Sequence, residues 1–184
     1  MSNQVLLALD PATKTGWAVG DGVRGGFFQS GVLDLAVAMR TLVDDGFCQQ
    51  MPDHEGLRYL GVHLWLSAKE RELCGLYQQL AGIVVEAAHH RGAAPTAYHL
   101  GIIATVQQWA ARCGVPVHPP LHSGTIKKQA AGDGHADKAT MIRAAANIRR
   151  YYGVPKVSLT DDEADAICAL HVGLSHLNPW RKTA

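Results

Sequence analysis

Apolar positions along this 184-residue chain switch between two spacings, and each switch marks an element. Val5-Leu6-Leu7-Ala8-Leu9 is an unbroken apolar run that ends on Asp10. A continuous β-favouring run of about five residues is how a strand covered on both faces reads. Pro11 to Lys14 reads as a turn, and Thr15-Gly16-Trp17-Ala18-Val19 as a returning strand. Gly20-Asp21-Gly22 is a hairpin signal, and a third strand follows from Phe27 to Leu33. A short helix over about 34–44 and a loop from Gly46 to Pro52 come next. Leu57, Leu60, Leu64, Leu73, Leu76, Tyr77 and Leu80 then recur at helical spacing over about 55–80. Gly82-Ile83-Val84-Val85 is a fourth strand, closed by Glu86. Helices are predicted over about 96–112, 138–152 and 161–176. Val115-Pro116-Val117-His118 is a short fifth strand, confined by its proline to an edge or strand end. The order βββαβαβα, with no internal repeat, predicts one α/β domain over 1–184: a five-stranded mixed sheet with helices on both faces.

Two of those strands end on a single carboxylate. Open α/β sheets place their chemistry just beyond the carboxyl ends of strands, which is where Asp10 and Glu86 fall. Asp162 and Asp165, spaced i and i+3, share one face of the last helix. Four carboxylates brought together repel one another unless hard cations sit among them, so the pattern points to metal-dependent phosphoryl transfer. Plainer readings exist for some of these residues. Asp10-Pro11 is a common turn opener. Thr160-Asp161-Asp162-Glu163 makes a capping box whose acids suit a helix N-terminus. Neither reading covers Glu86, which closes a buried strand, or Asp165, which lies between Ala164 and Ala166 in an apolar helix body and needs a partner.

Composition narrows the classes. No stretch approaches the roughly 18 apolar residues of a membrane span, and the first strand starts too early to leave room for a targeting peptide. Cys48, Cys74, Cys113 and Cys168 have no paired spacing and read as free thiols in a reducing, cytoplasmic setting. No two of the ten histidines stand three or four residues apart within a predicted helix, so a zinc site is not the favoured reading. The formal net charge of +1 conceals a split: −4 over residues 1–90, +7 over 91–160 and −2 over 161–184. A basic surface beside an acidic pocket suits a polyanion cut with metal help, although a solvated basic face would carry the same charge.

The basic block supplies a specific match. Thr125-Ile126-Lys127-Lys128-Gln129-Ala130-Ala131-Gly132-Asp133-Gly134-His135-Ala136-Asp137-Lys138 resembles the lysine and glycine motif of RuvC-type Holliday-junction resolvases. Lys127 and Lys138 fall on the family's two lysines, and Gly132 and Gly134 on its glycine pair. Asp10, Glu86, Asp162 and Asp165 fall, in order, on its four metal-binding acids. The resemblance spans residues 5 to about 175. Asp10-Pro11-Ala12-Thr13-Lys14-Thr15-Gly16 delays the glycine that often follows the first acid, as in phage and prophage branches of the family. Gly46–Gly56 looks like an added loop. Past the second acid, where some relatives carry an aromatic wedge, stand Ala87-Ala88-His89-His90, so that junction opening falls to His89 or His90 stacking on a base, or to another group.

The resemblance implies a ribonuclease H-like fold and paired incision of four-way DNA junctions by a homodimer in the bacterial or phage-infected cytoplasm, serving recombination and repair. It implies two Mg²⁺ ions, for which Mn²⁺ can substitute, held by Asp10, Glu86, Asp162 and Asp165. Such a pair activates a water and stabilises the leaving 3′-oxygen, giving 5′-phosphate and 3′-hydroxyl ends. Lys138, with Lys127, would neutralise the attacked phosphate. Lys128, Arg143, Arg149 and Arg150 would hold the DNA arms, unless Arg149 and Arg150 only complement a helix C-terminus. Val62, Trp65 and Leu66, apolar beyond the core stripe of their helix, suggest a partner surface. A related nuclease cutting forks, flaps or single strands remains an open alternative, as does a non-catalytic DNA-binding module. An actin-like ATPase would need a duplicated domain and a second phosphate loop.

Overall fold

The computed structural model describes residues 3–44, 55–76, 78–88, 93–155 and 158–177. The first three strands form an antiparallel meander: β1 (Asn3–Asp10), β2 (Lys14–Gly20) and β3 (Phe28–Asp34). Helices α1 (Leu35–Asp44) and α2 (Glu55–Gly75) then lead to β4 (Gln78–Val85), which returns parallel to β1. The sheet order is β3-β2-β1-β4. Helices α3 (Ala93–Cys113), α4 (Ser123–Ala131), α5 (Lys138–Tyr151) and α6 (Asp161–Leu177) complete the chain.

The apolar run of β1 is covered on both faces, and alternation divides it between two cores. Leu6 and Ala8 pack with Ala18, Val84, Met141 and Leu170 beneath α4, α5 and α6. Val5, Leu7 and Leu9 pack with Leu66, Ile83, Val85 and Trp109 beneath α2 and α3. None of the five is more than 5% exposed.

The expected fifth strand is reduced to two isolated parallel bridges, Ile83 with Val117 and Glu86 with Leu121, so the sheet has four strands among the described residues. The segment does run beside β4: the His118 N–H donates to the Ile83 carbonyl and the Leu121 N–H to the Val85 carbonyl, both at 2.9 Å. Pro116, Pro119 and Pro120 have no N–H to give, and the ladder cannot close between the bridges. Helix α2 stops at Gly75, so Leu80 belongs to β4 rather than to the helix; Tyr77 lies outside the described residues. Helix α4 had no counterpart in the sequence reading. Its residues around Lys127-Lys128-Gln129 are polar and only Ile126 is fully buried, leaving too little apolar periodicity to detect.

Two further expectations change. Val62 and Leu66 are 2% and 1% exposed and belong to the core, while Trp65 packs its ring 5.6 Å from Trp17. Val62 and Leu66 are therefore core rather than partner surface, and Trp65 is partly buried beside them. At the start of α6, Thr160 Oγ1 accepts from the Glu163 N–H at 3.2 Å, as a cap should. The Glu163 carboxylate does not complete the box; it accepts from Ser30 Oγ at 2.6 Å and pairs with Arg149 at 3.7 Å. The loop expected around Gly46–Gly56 lies outside the described residues up to residue 54, with Glu55 and Gly56 opening α2. Cys48 is also outside them; Cys74, Cys113 and Cys168 are free thiols. No described helix is long and apolar enough to cross a membrane.

Candidate active site

Strand register brings the first two acids together. Leu9 is paired with Val85 across the parallel β1–β4 seam, so Asp10 and Glu86 are the next residues on neighbouring strands, and the Glu86 N–H donates to the Leu9 carbonyl at 2.9 Å. Residues two apart on a strand share a face. Asp10 follows Leu6 and Ala8, and Glu86 follows Val84, so both acids emerge on the face that α6 covers. Glu86 is only 7% exposed.

Helix α6 reaches that face because two glycines let it approach. Gly16 is paired with Asp10 on β2, and a Cβ there would collide with the Asp162 backbone carbonyl. A Cβ on Gly173 would come within 2.8 Å of Val84 and 2.9 Å of Leu6. The first turn of α6 therefore sits directly over β2 at the level of Asp10. Asp162 and Asp165 lie in that first turn and the next, both partly buried.

The acids share one negative field. The Asp165 carboxyl is pushed up to about 6, first by burial and next by the Glu86 charge; Lys127 partly offsets this, and Asp161 and Asp162 add to it. Burial, then Asp161, also raises Asp162, against Lys138 and Lys14. The Cys168 thiol is pushed up to about 12 by burial, with the Asp165 and Glu86 charges adding to it. Among the described residues no three His, Cys, Asp or Glu side chains are drawn tightly enough together to form a finished metal cage. The donor set nevertheless fits a hard divalent cation: oxygen ligands only, including a carboxylate whose ionisation is opposed by burial and by the Glu86 charge.

Cations face this acidic group. Lys127 and Lys138 line a cavity of about 30 Å³ with Met141, Asp161, Ala164 and Asp165. The glycines between them shape the turn that joins α4 to α5. Gly132 ends α4 in the left-handed region at φ 85°, where glycine is favoured, with its N–H on the Lys128 carbonyl. Asp137 then caps α5, accepting from the Thr140 N–H at 2.8 Å, so that Lys138 is the first residue of α5. Lys128 is exposed. Arg143, also exposed, donates to Thr140 Oγ1 at 2.9 Å. Arg149 is 12% exposed and paired with Glu163, which leaves it tying α5 to α6 rather than holding DNA arms. His89 and His90 lie outside the described residues.

Two residues escaped the sequence reading. Gly16, in sequence a strand residue and a delayed glycine, is by its pairing with Asp10 the seat of α6. Asp161, an acid that suits the start of a helix, also accepts from the Lys138 ammonium through its carboxylate. Its i, i+4 spacing from Asp165 was the available signal. A larger cavity, about 520 Å³, lies toward the other end of α6 among Ala130, Ile148, Tyr151, Tyr152, His171 and Leu174, and contains none of the acids. Size alone would select it, but the carboxylates and lysines lie elsewhere.

The same arrangement of elements occurs in solved structures. Over 91% of this chain and 91% of the other, it superposes on Thermus thermophilus RuvC in complex with a Holliday junction substrate, with a TM-score of 0.67 and 18% identity. The fold is that of RuvC. A second Thermus thermophilus RuvC structure matches over 95% of this chain and 96% of that one, with a TM-score of 0.60 and 18% identity. No protein-family model and no curated protein sequence matches the chain. At this identity the RuvC likeness carries the α/β architecture, with helices against a four-stranded mixed sheet.

Proposed function

We propose that this chain is a metal-dependent, structure-specific endodeoxyribonuclease that resolves four-way DNA junctions, of the phage-like branch of the RuvC group. The carrying observation is the register that sets Asp10 beside Glu86 at the carboxyl ends of two parallel strands, with Asp162 and Asp165 delivered over them by α6. The bound junction in the neighbouring RuvC structure supports the choice of substrate.

Asp10, Glu86, Asp162 and Asp165 are the residues that would hold Mg²⁺ or, in its place, Mn²⁺. Bound there as a pair, such ions supply an activated water and charge stabilisation for in-line displacement at phosphorus. Lys138 would sit against the attacked phosphate, with Lys127 across the same cavity. Lys128 and Arg143, exposed on α4 and α5, would hold phosphates further along the arms. His89 and His90 would stack on bases at the point of exchange. A four-way junction offers two equivalent strands, and a two-fold homodimer matches that symmetry. The setting would be recombination and repair in a bacterial or phage-infected cytoplasm.

The test is a gel assay in Mg²⁺ comparing a synthetic four-way junction, a Y-fork and plain duplex. Symmetric paired incision of the junction, at least about ten-fold faster than of the fork, is expected. Equal or faster cutting of the fork would make this a branched-DNA nuclease of the same fold, not a resolvase.

A further inference from the structure

We propose that Asp161 is a positioning residue for Lys138. Its carboxylate, at the first position of α6, holds the lysine ammonium, at the first position of α5, on the rim of the cavity that Asp165 lines. The inference rests on the nuclease reading above and assigns within it a fifth acid that the family pattern does not use.

Lys138 has a four-carbon stem, and its side chain is 82% exposed. An ammonium on such a stem samples a wide arc of solvent unless something holds it. Here it donates to Asp161 Oδ2. A cap hydrogen bond does not account for Asp161, and the helix field that favours an acid there does not fix where its carboxylate points. Capping is done by Thr160, whose Oγ1 takes the Glu163 N–H, and the Asp161 side chain is 41% exposed and outside the core. The two acids that follow it have other contacts: Asp162 lies over Gly16, and Glu163 is taken by Ser30 and Arg149.

The geometry then gives the ion pair a direction. Asp161 and Asp165, one helical turn apart, line the same small cavity as Lys127 and Lys138. Both helix starts are fixed, α5 by the Asp137 cap and α6 by its contact with Gly16. The pair therefore joins two rigid elements and restricts the solvent-exposed ammonium to the side of the acids. For a group that must meet a phosphate arriving at those acids, prior orientation raises the rate of the chemical step and leaves affinity for the long DNA arms almost unchanged.

The test is a double-mutant cycle on the full chain with Asp161→Ala and Lys138→Ala, read by single-turnover cleavage of a four-way junction in Mg²⁺. Junction affinity is measured separately in Ca²⁺, and circular dichroism checks each fold. Asp161→Ala is expected to slow cleavage about ten-fold with the dissociation constant changed by less than about two-fold. The same substitution should have no further effect in the Lys138→Ala background, because the acid acts through the lysine. Asp161→Glu should recover most of the rate. An Asp161→Ala loss of equal size in both backgrounds would overturn the inference, since the acid would then act on metal or helix field directly. So would an unchanged rate in the wild-type background. Wild-type protein that cuts no DNA would refute the nuclease reading itself and this inference with it, an outcome separate from cutting that is indifferent to Asp161.

Discussion

Replacing Asp165 with asparagine should stabilise the metal-free protein at neutral pH. Burial and the Glu86 charge raise this carboxyl from its ordinary 3.8 to about 6. The native state thus holds the proton more tightly than the unfolded chain does. Ionising the group therefore costs stability in full above pH 6. That cost shrinks as pH falls between about 6 and 3.8 and vanishes below that window. A rise of this size corresponds to at most about 3 kcal/mol. Solvent around the partly exposed carboxylate leaves ~1–2 kcal/mol as the working figure. For a chain of this length that is about 3–6 °C in Tm. Thermal melts in EDTA at pH 7.5 should therefore place Asp165→Asn above the wild type, with the gap narrower at pH 5. Adding Mg²⁺ at ten times its dissociation constant should stabilise the wild type by about 1.4 kcal/mol and the variant by clearly less. Equal melting in EDTA at pH 7.5, together with equal responses to Mg²⁺, would refute the reasoning and remove Asp165 as a ligand.

Asp10→Asn should leave junction binding intact while cleavage falls by about 10³-fold or more, measured as single-turnover rate against gel-shift affinity. Lys128→Ala should weaken binding and lower the slope of log affinity against log salt by about one, without changing the rate of the bound complex. Gly16→Ala drives a methyl group into the Asp162 carbonyl, so it should cost on the order of 2 kcal/mol and displace α6, read as a lower Tm and lost cleavage. Light scattering at tens of micromolar should show a dimer; a monomer that still makes paired incisions would contradict the two-fold arrangement.

Much of this arrangement was legible in residue order alone. A five-residue apolar run ending on an acid announces a buried strand with a group at its carboxyl end, and β1 bears that out to Asp10. The run before Glu86 did the same for β4. Helix α6 was readable because Thr160 and the acids after it mark a start, and the apolar body that follows has no other place to go. What could not be read was register and close approach. The pairing of Leu9 with Val85 is a long-range fact, as is the contact between Gly16 and Asp162. The fifth strand failed because three prolines break a ladder that the apolar residues alone suggested. Helix α4 was hidden because it buries one residue. Val62 and Leu66 looked surplus to a single stripe, but α2 lies against both α1 and α3 and so buries a wider face. Asp161 reads in sequence as an acid suited to a helix start, and its ion pair with Lys138 is a long-range fact set by how α5 meets α6.

The proposed function requires Asp10, Glu86, Asp162 and Asp165 to form one hydrolytic centre for junction DNA. It is tested most directly by incubating an end-labelled four-way junction with wild type and with Asp10→Asn, in Mg²⁺ and in EDTA, and then treating the products with DNA ligase. Paired, ligatable nicks from the wild type in Mg²⁺ alone, and none from Asp10→Asn, are predicted. Incision that persists in EDTA or in Asp10→Asn, or nicks that ligase cannot seal, would contradict it.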